Sequence, residues 1–225
     1  MPVYRLTDDL LFPNPEHARH DGLLAVGGDL RVERLLLAYR LGIFPWYDDD
    51  SPILWWSPPR RCVMDPTGFH ASRSLQRVLR QGHFTVTLDQ AFPAVIRACA
   101  ETRRNEGKGT WIIAEMIDAY CALHEAGFAH SAEAWVDRQL AGGIYGVSLG
   151  HAFFGESMFT QITNGSKVAF ATLAEKLAEW EFSLIDCQIT NPHLQRLGSY
   201  EISRKEFLHR LTQALTFPTR RGRWQ

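Results

Sequence analysis

The stretch HSAEAWVDRQLAGGIYGVSLGHAFFGESMF, residues 130–159, decides the fold of this 225-residue chain. Three segments rich in apolar residues follow one another here, separated only by the short turns DRQ and LGH. Connections this short join neighbouring antiparallel strands, whereas parallel strands need long crossovers. We therefore predict that HSAEAWV, LAGGIYGVSLG and HAFFGESMF are three consecutive antiparallel strands.

Apolar periodicity predicts further elements on both sides of these strands. A capping box, Ser203 with Glu206, opens the last of them. In chain order, the predicted elements are a strand at 84–88, helices at about 91–101 and 114–128, a helix at 166–180, a strand at 184–188 and a helix at 203–215.

The order strand, two helices, three antiparallel strands, helix and strand suits an α/β (α+β) fold of the N-acyltransferase-like type. In that fold the sheet is mostly antiparallel, and its central strands splay to admit an acyl donor. Acyl-CoA enzymes of this type carry a glycine-rich pyrophosphate loop before the helix that follows strand four. Here that position reads TQITNGSK, residues 160–167, with a single glycine. We therefore expect the fold without its usual cofactor.

The first 60 residues have a different character. A short helix is predicted with Asp29 as its N-cap, an apolar face that includes Tyr39, and an end at Gly42. FPWYDDDSPILWWSPPRR, residues 44–61, then holds four prolines and three tryptophans, which forbids regular helix. We predict a boundary near residue 62, with a small N-terminal domain at 1–62 and a catalytic domain at 63–225.

Composition excludes several classes of protein. The net charge of −1 gives no global field for nucleic acid, although residues 60–80 hold five Arg against one acid and residues 203–225 hold six basic residues against one. Four cysteines without a CxxC pair, no signal peptide and no long apolar run predict a cytoplasmic protein with reduced thiols and no membrane span. No metal-ligand spacing is present, so no metal is expected.

Two strands end in polar residues that need partners or a function. Asp186 and Gln188 lie two positions apart in LIDCQ, so alternation points both to one face. Glu156 and Ser157 pose the same question in FFGESMF. Buried polar groups without partners are costly, so these side chains indicate a site.

Eight motifs in fixed order, spread from about Phe12 to Phe207, resemble those of the leucyl/phenylalanyl-tRNA–protein transferases. They are GLLAVGGDL, GIFPWY, ILWWSPPRRCVM, GTWI, GGIYGV, GESMF, NGSKVA and LIDCQ. The resemblance implies transfer of Leu or Phe, and less readily Met, from aminoacyl-tRNA to proteins that begin with Lys or Arg. In bacteria this marks them for N-end-rule degradation. Because converting an ester into an amide is downhill, no cofactor is expected.

The resemblance also implies roles for individual residues. Asp186 and Gln188 manage the proton of the attacking amine, with Glu156 and Asn191 in the surrounding network and Ser157 beside them. Glu156 and Asp186 also suit the cationic protein substrate. Trp46 and Trp111 stack on the terminal adenosine. The pocket for the transferred side chain is implied to consist of Ile144, Phe153, Met158, Leu173 and Ile185.

Position 173 is aromatic in some members of that family and Leu here, which we expect to alter the preference between Leu and Phe. Phosphates of the acceptor stem are expected to meet a set of basic residues. These are Arg60, Arg61, Arg73, Arg77, Arg80 and the basic run at 203–225.

Gly155 carries a geometric prediction. Strict alternation cannot place Phe153 and Met158 around one pocket and also bring Glu156 close to Asp186. Glycine inside a strand often marks a bulge, so we predict a break in the strand pairing within one or two residues of Gly155. The break should free a backbone N–H for the oxyanion of the reaction.

Two other classes of function stay open at this stage. An acyl-CoA-dependent N-acyltransferase would share the fold, although the missing glycine-rich loop argues against it. A non-catalytic RNA- or peptide-binding module would share the surface features but would not depend on Asp186 and Gln188. We expect the protein to be a monomer.

Overall fold

The computed structural model describes residues 3–105 and 110–225, apart from the side chains of residues 103 and 105. Residue 109, which opens the GTWI motif, lies outside this description. The chain forms a four-stranded and a seven-stranded sheet with helices on both faces of the larger one.

The small sheet is built from the N-terminal part of the chain, and its strands run in the spatial order β1-β2-β4-β3. Helix α1 connects β2 to β3. These elements are β1 (Tyr4–Leu6), β2 (Leu23–Gly27), α1 (Val32–Arg40), β3 (Phe44–Pro45) and β4 (Leu54–Trp56).

The start of α1 differs from the prediction. Arg31 occupies the N-cap position, and Asp29, the predicted cap, lies two residues earlier. The Asp29 carboxylate accepts a hydrogen bond from the backbone N–H of Arg31 and pairs with the side chains of Arg31 and Arg34. Asp29 therefore fixes the turn that leads into the helix. Gly42, at φ +71°, lies just past the end of the helix, as predicted.

The large sheet has the spatial order β11-β5-β10-β9-β8-β7-β6. Five of its six neighbouring pairs are antiparallel, and only β9 and β10 run parallel. The three predicted antiparallel strands are confirmed as β7, β8 and β9. The strands are β5 (Arg60–Met64), β6 (Thr85–Leu88), β7 (Ala129–Val136), β8 (Gln139–Leu149), β9 (Ala152–Thr160), β10 (Leu184–Gln188) and β11 (Tyr200–Ser203).

Helices cover both faces of the large sheet because its strands alternate apolar side chains between two cores. Phe154 and Leu184 belong to the core beneath α3 (Phe92–Asn105), whereas Phe153 and Ile185 belong to the core beneath α5 (Gly165–Glu179). Ser203 accepts a hydrogen bond from the Glu206 N–H at 3.2 Å, so the predicted cap of the last helix is confirmed. The remaining helices are α2 (Arg73–Gln81), α3 (Phe92–Asn105), α4 (Ala114–Glu125), α5 (Gly165–Glu179), α6 (Pro192–Arg196) and α7 (Arg204–Ala214).

The predicted boundary near residue 62 falls inside β5, which pairs with β10 and β11 of the large sheet. The chain thus enters the large sheet at Arg60. The two parts also share one apolar core, to which Tyr39 of α1, Tyr120 of α4 and Phe154 of β9 all belong. The division into two domains stays a prediction.

The C-terminal segment returns to the large sheet and packs against it. The backbone N–H of Trp224 donates to the buried carboxylate of Asp89 at 2.7 Å, and the Trp224 ring stacks on His130 with centroids 3.7 Å apart. His130 also bonds to Asp89, at 2.8 Å. Trp224 is 2% exposed and belongs to the core beneath α5. This segment therefore completes one of the two cores.

None of the four cysteines forms a disulfide. Within the described ranges, no cluster of three or more metal-ligating side chains occurs. None of the helices described is both long enough and apolar enough to cross a membrane.

Candidate active site

A pocket of about 290 Å³ opens between β9 and β10. The two strands pair through Phe154 and Asp186, and their ladder ends there. Beyond that point, residues 155–158 and 187–189 line the two sides of the pocket, with further walls from β3, α5 and α6. The strands therefore separate where the site lies, as expected of a splayed sheet.

A bulge in β9 supplies the Glu156 side chain to this pocket. Tyr145 of β8 pairs with Ser157, but the next residue, Gly146, pairs with Gly155. Glu156 is the extra residue, without a partner of its own in the ladder. This shift in register lies next to Gly155, so the predicted break in the strand pairing is confirmed. The extra residue also re-aims the side chains that follow it.

A second irregularity separates Asp186 from Gln188. The pairing of β10 with β5 shifts register between these two residues, and Gln188 has a left-handed backbone with φ +54°. The predicted common direction of the two side chains is therefore wrong. Gln188 lines the pocket, whereas Asp186 is fully buried beneath it. The backbone N–H of Gln188 donates to Asp186 Oδ1 at 3.0 Å, so the aspartate holds this turn in place.

Arg61 is the partner of Asp186. Its Nε and Nη2 donate to the two carboxylate oxygens at 2.8 and 2.6 Å, and its Nη1 donates to the Gly42 carbonyl at 3.2 Å. The guanidinium lies between the rings of Phe44 and Phe207. Arg61 is 1% exposed, so the expectation that it holds tRNA phosphates is wrong. Since Asp186 is already paired, it is also unsuited to the cation of a protein substrate.

Glu156, itself half-buried, is the centre of a hydrogen-bond network that includes two fully buried tyrosines. Its carboxylate accepts from the Tyr39 hydroxyl at 2.8 Å, from the Tyr120 hydroxyl at 3.2 Å and from Gln188 Nε2 at 3.1 Å. The two tyrosine hydroxyls also bond to each other. Because Gln188 Nε2 faces the carboxylate, its Oε1 remains as an acceptor for another group.

The network sets the pKa of Glu156. Burial raises it, and the nearby charge of Asp186 adds to the increase, while the hydroxyls of Tyr39 and Tyr120 and the charge of Arg61 oppose it. The result is a pKa of about 7. Burial and the Glu156 charge also hold the pKa values of both tyrosines well above 10. Glu156 therefore exchanges its proton near neutral pH, and the tyrosines stay neutral donors.

The apolar wall contains three of the five residues implied for the transferred side chain. Ile144, Met158 and Ile185 line the pocket. Phe153 and Leu173 do not reach its surface and are fully buried in the core behind it.

The other implied substrate contacts also lie at the pocket. Trp46, 41% exposed, and Trp111 both line it, one from each part of the chain. Asn191 lines it too, and its Oδ1 accepts the Leu194 N–H at 2.9 Å, which caps α6. Ser157 lines the pocket as well, and its buried hydroxyl has no hydrogen-bond partner among the residues described.

The predicted basic residues fall into two groups. Arg73, Arg77 and Arg80 are exposed at i, i+4 and i+7 along α2 and share one face, and Arg60 is exposed beside Glu201. Most basic residues of the C-terminal run have structural partners instead. Carbonyls bind Arg204 and Arg221, Asp65 binds Arg210, and the Trp180 ring stacks under Arg220.

Sequence reasoning did not single out Tyr39, Tyr120 or His193 as site residues. The two tyrosines occur in apolar helical stripes, where a hydroxyl gives no local signal of its partner. His193 lies in a short helix after LIDCQ and lines the pocket. The position of the two tyrosines on the apolar face of a helix could have indicated a role, because a buried tyrosine hydroxyl needs a hydrogen-bond partner.

The mixed sheet, with a pocket where its central strands part, defines an acyltransferase-like α/β protein. A family model described as leucyl/phenylalanyl-tRNA protein transferase matches residues 63–212, and a model for the N-terminal domain of that transferase matches residues 28–59. The chain belongs to this family. It is accordingly an aminoacyl-tRNA-dependent transferase.

Individual relatives match over the full chain. The leucyl/phenylalanyl-tRNA–protein transferase of Desulfatibacillum aliphaticivorans is 59% identical, covering 100% of this chain and 96% of the relative. That of Anaeromyxobacter sp. strain Fw109-5 is 58% identical, covering 100% and 95%. Among solved structures, a conserved protein of unknown function from Bacteroides thetaiotaomicron has a TM-score of 0.45 at 10% identity, covering 71% of this chain and 57% of that one. Such a distant likeness carries no argument about function.

Proposed function

We propose that this protein transfers Leu or Phe, and less readily Met, from aminoacyl-tRNA to the α-amino group of proteins that begin with Arg or Lys. The observation that carries the proposal is the contact of Gln188 with Glu156 at the mouth of an apolar pocket. The product is marked for N-end-rule degradation, and the enzyme works as a cytoplasmic monomer.

The donor occupies the pocket with its aminoacylated end. The terminal adenine stacks on Trp46 and Trp111, because an unpaired 3′ base offers its faces to aromatic side chains. The Leu or Phe side chain lies against Ile144, Met158 and Ile185. An apolar pocket of about 290 Å³ suits an unbranched-Cβ apolar side chain. The exposed arginines of α2 hold phosphates of the acceptor stem.

The reaction requires positioning and the movement of one proton. The neutral α-amine of the protein attacks the ester carbonyl, a C–N bond forms and the C–O bond to the ribose breaks. A free α-amine has a pKa of about 7.7–8.0, so a useful fraction is already neutral at pH 7. Gln188 Oε1 accepts a hydrogen bond from the attacking amine and orients it. The proton that the amine loses is taken up by the departing ribose oxygen, which leaves as a hydroxyl.

Glu156 and Asp186 act on either side of Gln188. Ionised Glu156 stabilises the positive charge that grows on the amine and favours the cationic first residue of the protein substrate. Asp186 acts through Gln188 by bonding to its backbone N–H. A backbone N–H at the β9 bulge faces the developing oxyanion, which is the reason for an irregular strand at this point.

The direct test is incubation of the purified protein with Leu-tRNA and a peptide that begins with Arg. Mass spectrometry should detect one added Leu at the N-terminus. A matched peptide beginning with Ala should react far more slowly. Glu156→Gln should reduce the difference in reaction rate between the Arg peptide and the Ala peptide.

Two results would overturn the proposal. Acetyl transfer from acetyl-CoA, without aminoacyl transfer, would indicate an acyl-CoA-dependent enzyme. Binding of Leu-tRNA or peptide without product, unchanged in Gln188→Ala, would indicate a binding module.

A further inference from the structure

His193 and two basic residues of neighbouring helices, Lys167 and Arg196, lie close to one another beside the pocket. His193 of α6 lines the pocket. Burial lowers the pKa of His193 below 6.5, and the nearby positive charges of Lys167 of α5 and Arg196 of α6 lower it further. At neutral pH the imidazole is therefore a neutral hydrogen-bond donor between two cations.

The local fold fixes this arrangement. Asn191 caps α6, and Pro192 occupies its first turn, so the five-residue helix has a defined start. His193 and Arg196 are three residues apart and share one face of α6. His193 lines the pocket, and Arg196, one turn further along the same face of α6, is exposed.

Lys167 reaches the same rim from another element. It lies one turn before Phe170 on α5, and Phe170 lines the pocket. Residues three apart share a helix face, so the half-buried Lys167 side chain lies on the pocket side of α5.

These side chains have no anionic partner of their own. Nothing in residues 3–105 or 110–225 forms a hydrogen bond or ion pair with the side chain of Lys167, His193 or Arg196. By contrast, Lys176 of the same helix pairs with Glu179 at 2.8 Å. The rim is thus a local excess of positive charge in a protein whose net charge is −1.

We propose that Lys167, His193 and Arg196 form a phosphate site for the backbone of the donor's unpaired 3′ end. The inference rests on the proposed function, since it takes an RNA 3′ terminus as the pocket's occupant. A terminal nucleotide whose base stacks on Trp46 and Trp111 carries its 5′-phosphate to the rim. Lys and Arg bind such an anion through charge-assisted hydrogen bonds, and the neutral imidazole adds a donor. The site reads the backbone and not the bases, which suits an enzyme that accepts several tRNAs.

The test compares two leucyl donors with and without phosphate, Leu-tRNA and 3′-O-leucyl-adenosine. The variants are Lys167→Gln, Arg196→Gln and their combination, with Lys176→Gln as the control on α5. The double variant should raise the KM for Leu-tRNA about tenfold, and each single variant should reduce the slope of log(kcat/KM) against log salt by about 0.7. With leucyl-adenosine, all variants should match the parent protein.

Other outcomes separate the possible failures. An equal loss with both donors would show that these residues shape the pocket and would overturn the phosphate site. An unchanged KM for Leu-tRNA in the double variant would overturn it as well, while leaving the proposed function intact. Failure of the parent protein to use either donor would overturn the proposed function itself. If Lys167→Gln does not fold, the exposed Arg196→Gln alone decides the question.

Discussion

Gln188 Nε2 donates a hydrogen bond to Glu156 Oε1 at 3.1 Å, which joins two strands at the point where their backbone pairing has ended. A side-chain contact thus replaces the missing backbone ladder across the open part of the sheet. The contact also fixes which end of the Gln188 amide faces the pocket.

The first prediction concerns Glu156 and the pH dependence of stability. The pKa of this carboxyl is about 7 in the folded protein and about 4.5 in the unfolded chain. The folded state therefore binds the proton more tightly. The resulting stabilisation is complete below about pH 4.5 and is lost as pH rises through 7. The side chain introduced by Glu156→Gln cannot titrate, so the variant lacks this loss. Between pH 4.5 and pH 8 the free energy of unfolding of the parent should therefore fall by about 3 kcal/mol relative to that of the variant.

Urea unfolding of both proteins at pH 5 and pH 8 measures this difference. Tyr120→Phe provides a second check, because losing one donor to the carboxylate raises the pKa of Glu156 and moves the loss of stability to higher pH. A difference between parent and Glu156→Gln that is the same at both pH values would contradict the burial of an ionisable Glu156.

The second prediction concerns the buried pair of Arg61 and Asp186. Asp186→Ala leaves the guanidinium buried without its counter-charge, which should cost about 3–5 kcal/mol of unfolding free energy. The matched control is Asp65→Ala, which breaks the partly exposed pair with Arg210 and should cost about 1 kcal/mol or less.

Guanidinium unfolding curves for both variants give the comparison. Equal losses of unfolding free energy in the two variants would contradict the prediction. Because Asp186→Ala is expected to unfold easily, its activity should be measured only where circular dichroism shows a fully folded protein.

The third prediction concerns the adenine platform. Trp111→Ala should raise the KM for aminoacyl-tRNA and leave the KM for the protein substrate nearly unchanged. Aromatic stacking contributes about 1–3 kcal/mol per base, equivalent to roughly five- to 150-fold in KM. Trp180→Ala, whose ring lies against Arg220 and Trp224 away from the pocket, is the control. A change confined to the KM for the protein substrate would show that Trp111 binds the protein substrate and not the terminal adenine.

The fourth prediction concerns Gly146, which faces the β9 bulge. A Cβ added there would overlap the Phe154 carbonyl oxygen and would lie 2.6 Å from the Phe153 ring. Gly146→Ala should therefore destabilise the protein by about 3 kcal/mol and lower kcat, because β9 must move and Glu156 moves with it.

Gly68→Ala is the matched control, since its added Cβ would come no closer than 3.7 Å to any atom outside its chain neighbours. Thermal unfolding should give a clearly lower melting temperature for Gly146→Ala than for Gly68→Ala. Similar melting temperatures would show that the bulge tolerates a side chain opposite it.

Local patterns were sufficient for much of the fold. The turns DRQ and LGH predicted three antiparallel strands, and Gly155 predicted the break that the structure shows at Glu156. Such features depend on neighbours in sequence, since turn chemistry and the strand period act over a few residues.

The partners of the site residues could not be predicted in the same way. Alternation failed at Gln188 because a left-handed residue and a register shift turn its side chain away from Asp186. Arg61 is 125 residues from Asp186, and its sequence surroundings indicated a surface cation. Tyr39 is 117 residues from Glu156. Contacts between residues this distant in sequence depend on tertiary packing, and local periodicity does not predict them.

The bond between Trp224 and Asp89 has a consequence for how the protein is made. These residues are 135 positions apart. At about 5–20 residues per second, roughly 7 to 27 seconds of synthesis separate the two. During that interval the Asp89 carboxylate and the His130 ring lie at an unfinished face of the sheet. One core of the nascent chain therefore stays open to chaperones, and to mispairing with other chains, until the segment that closes it has been translated.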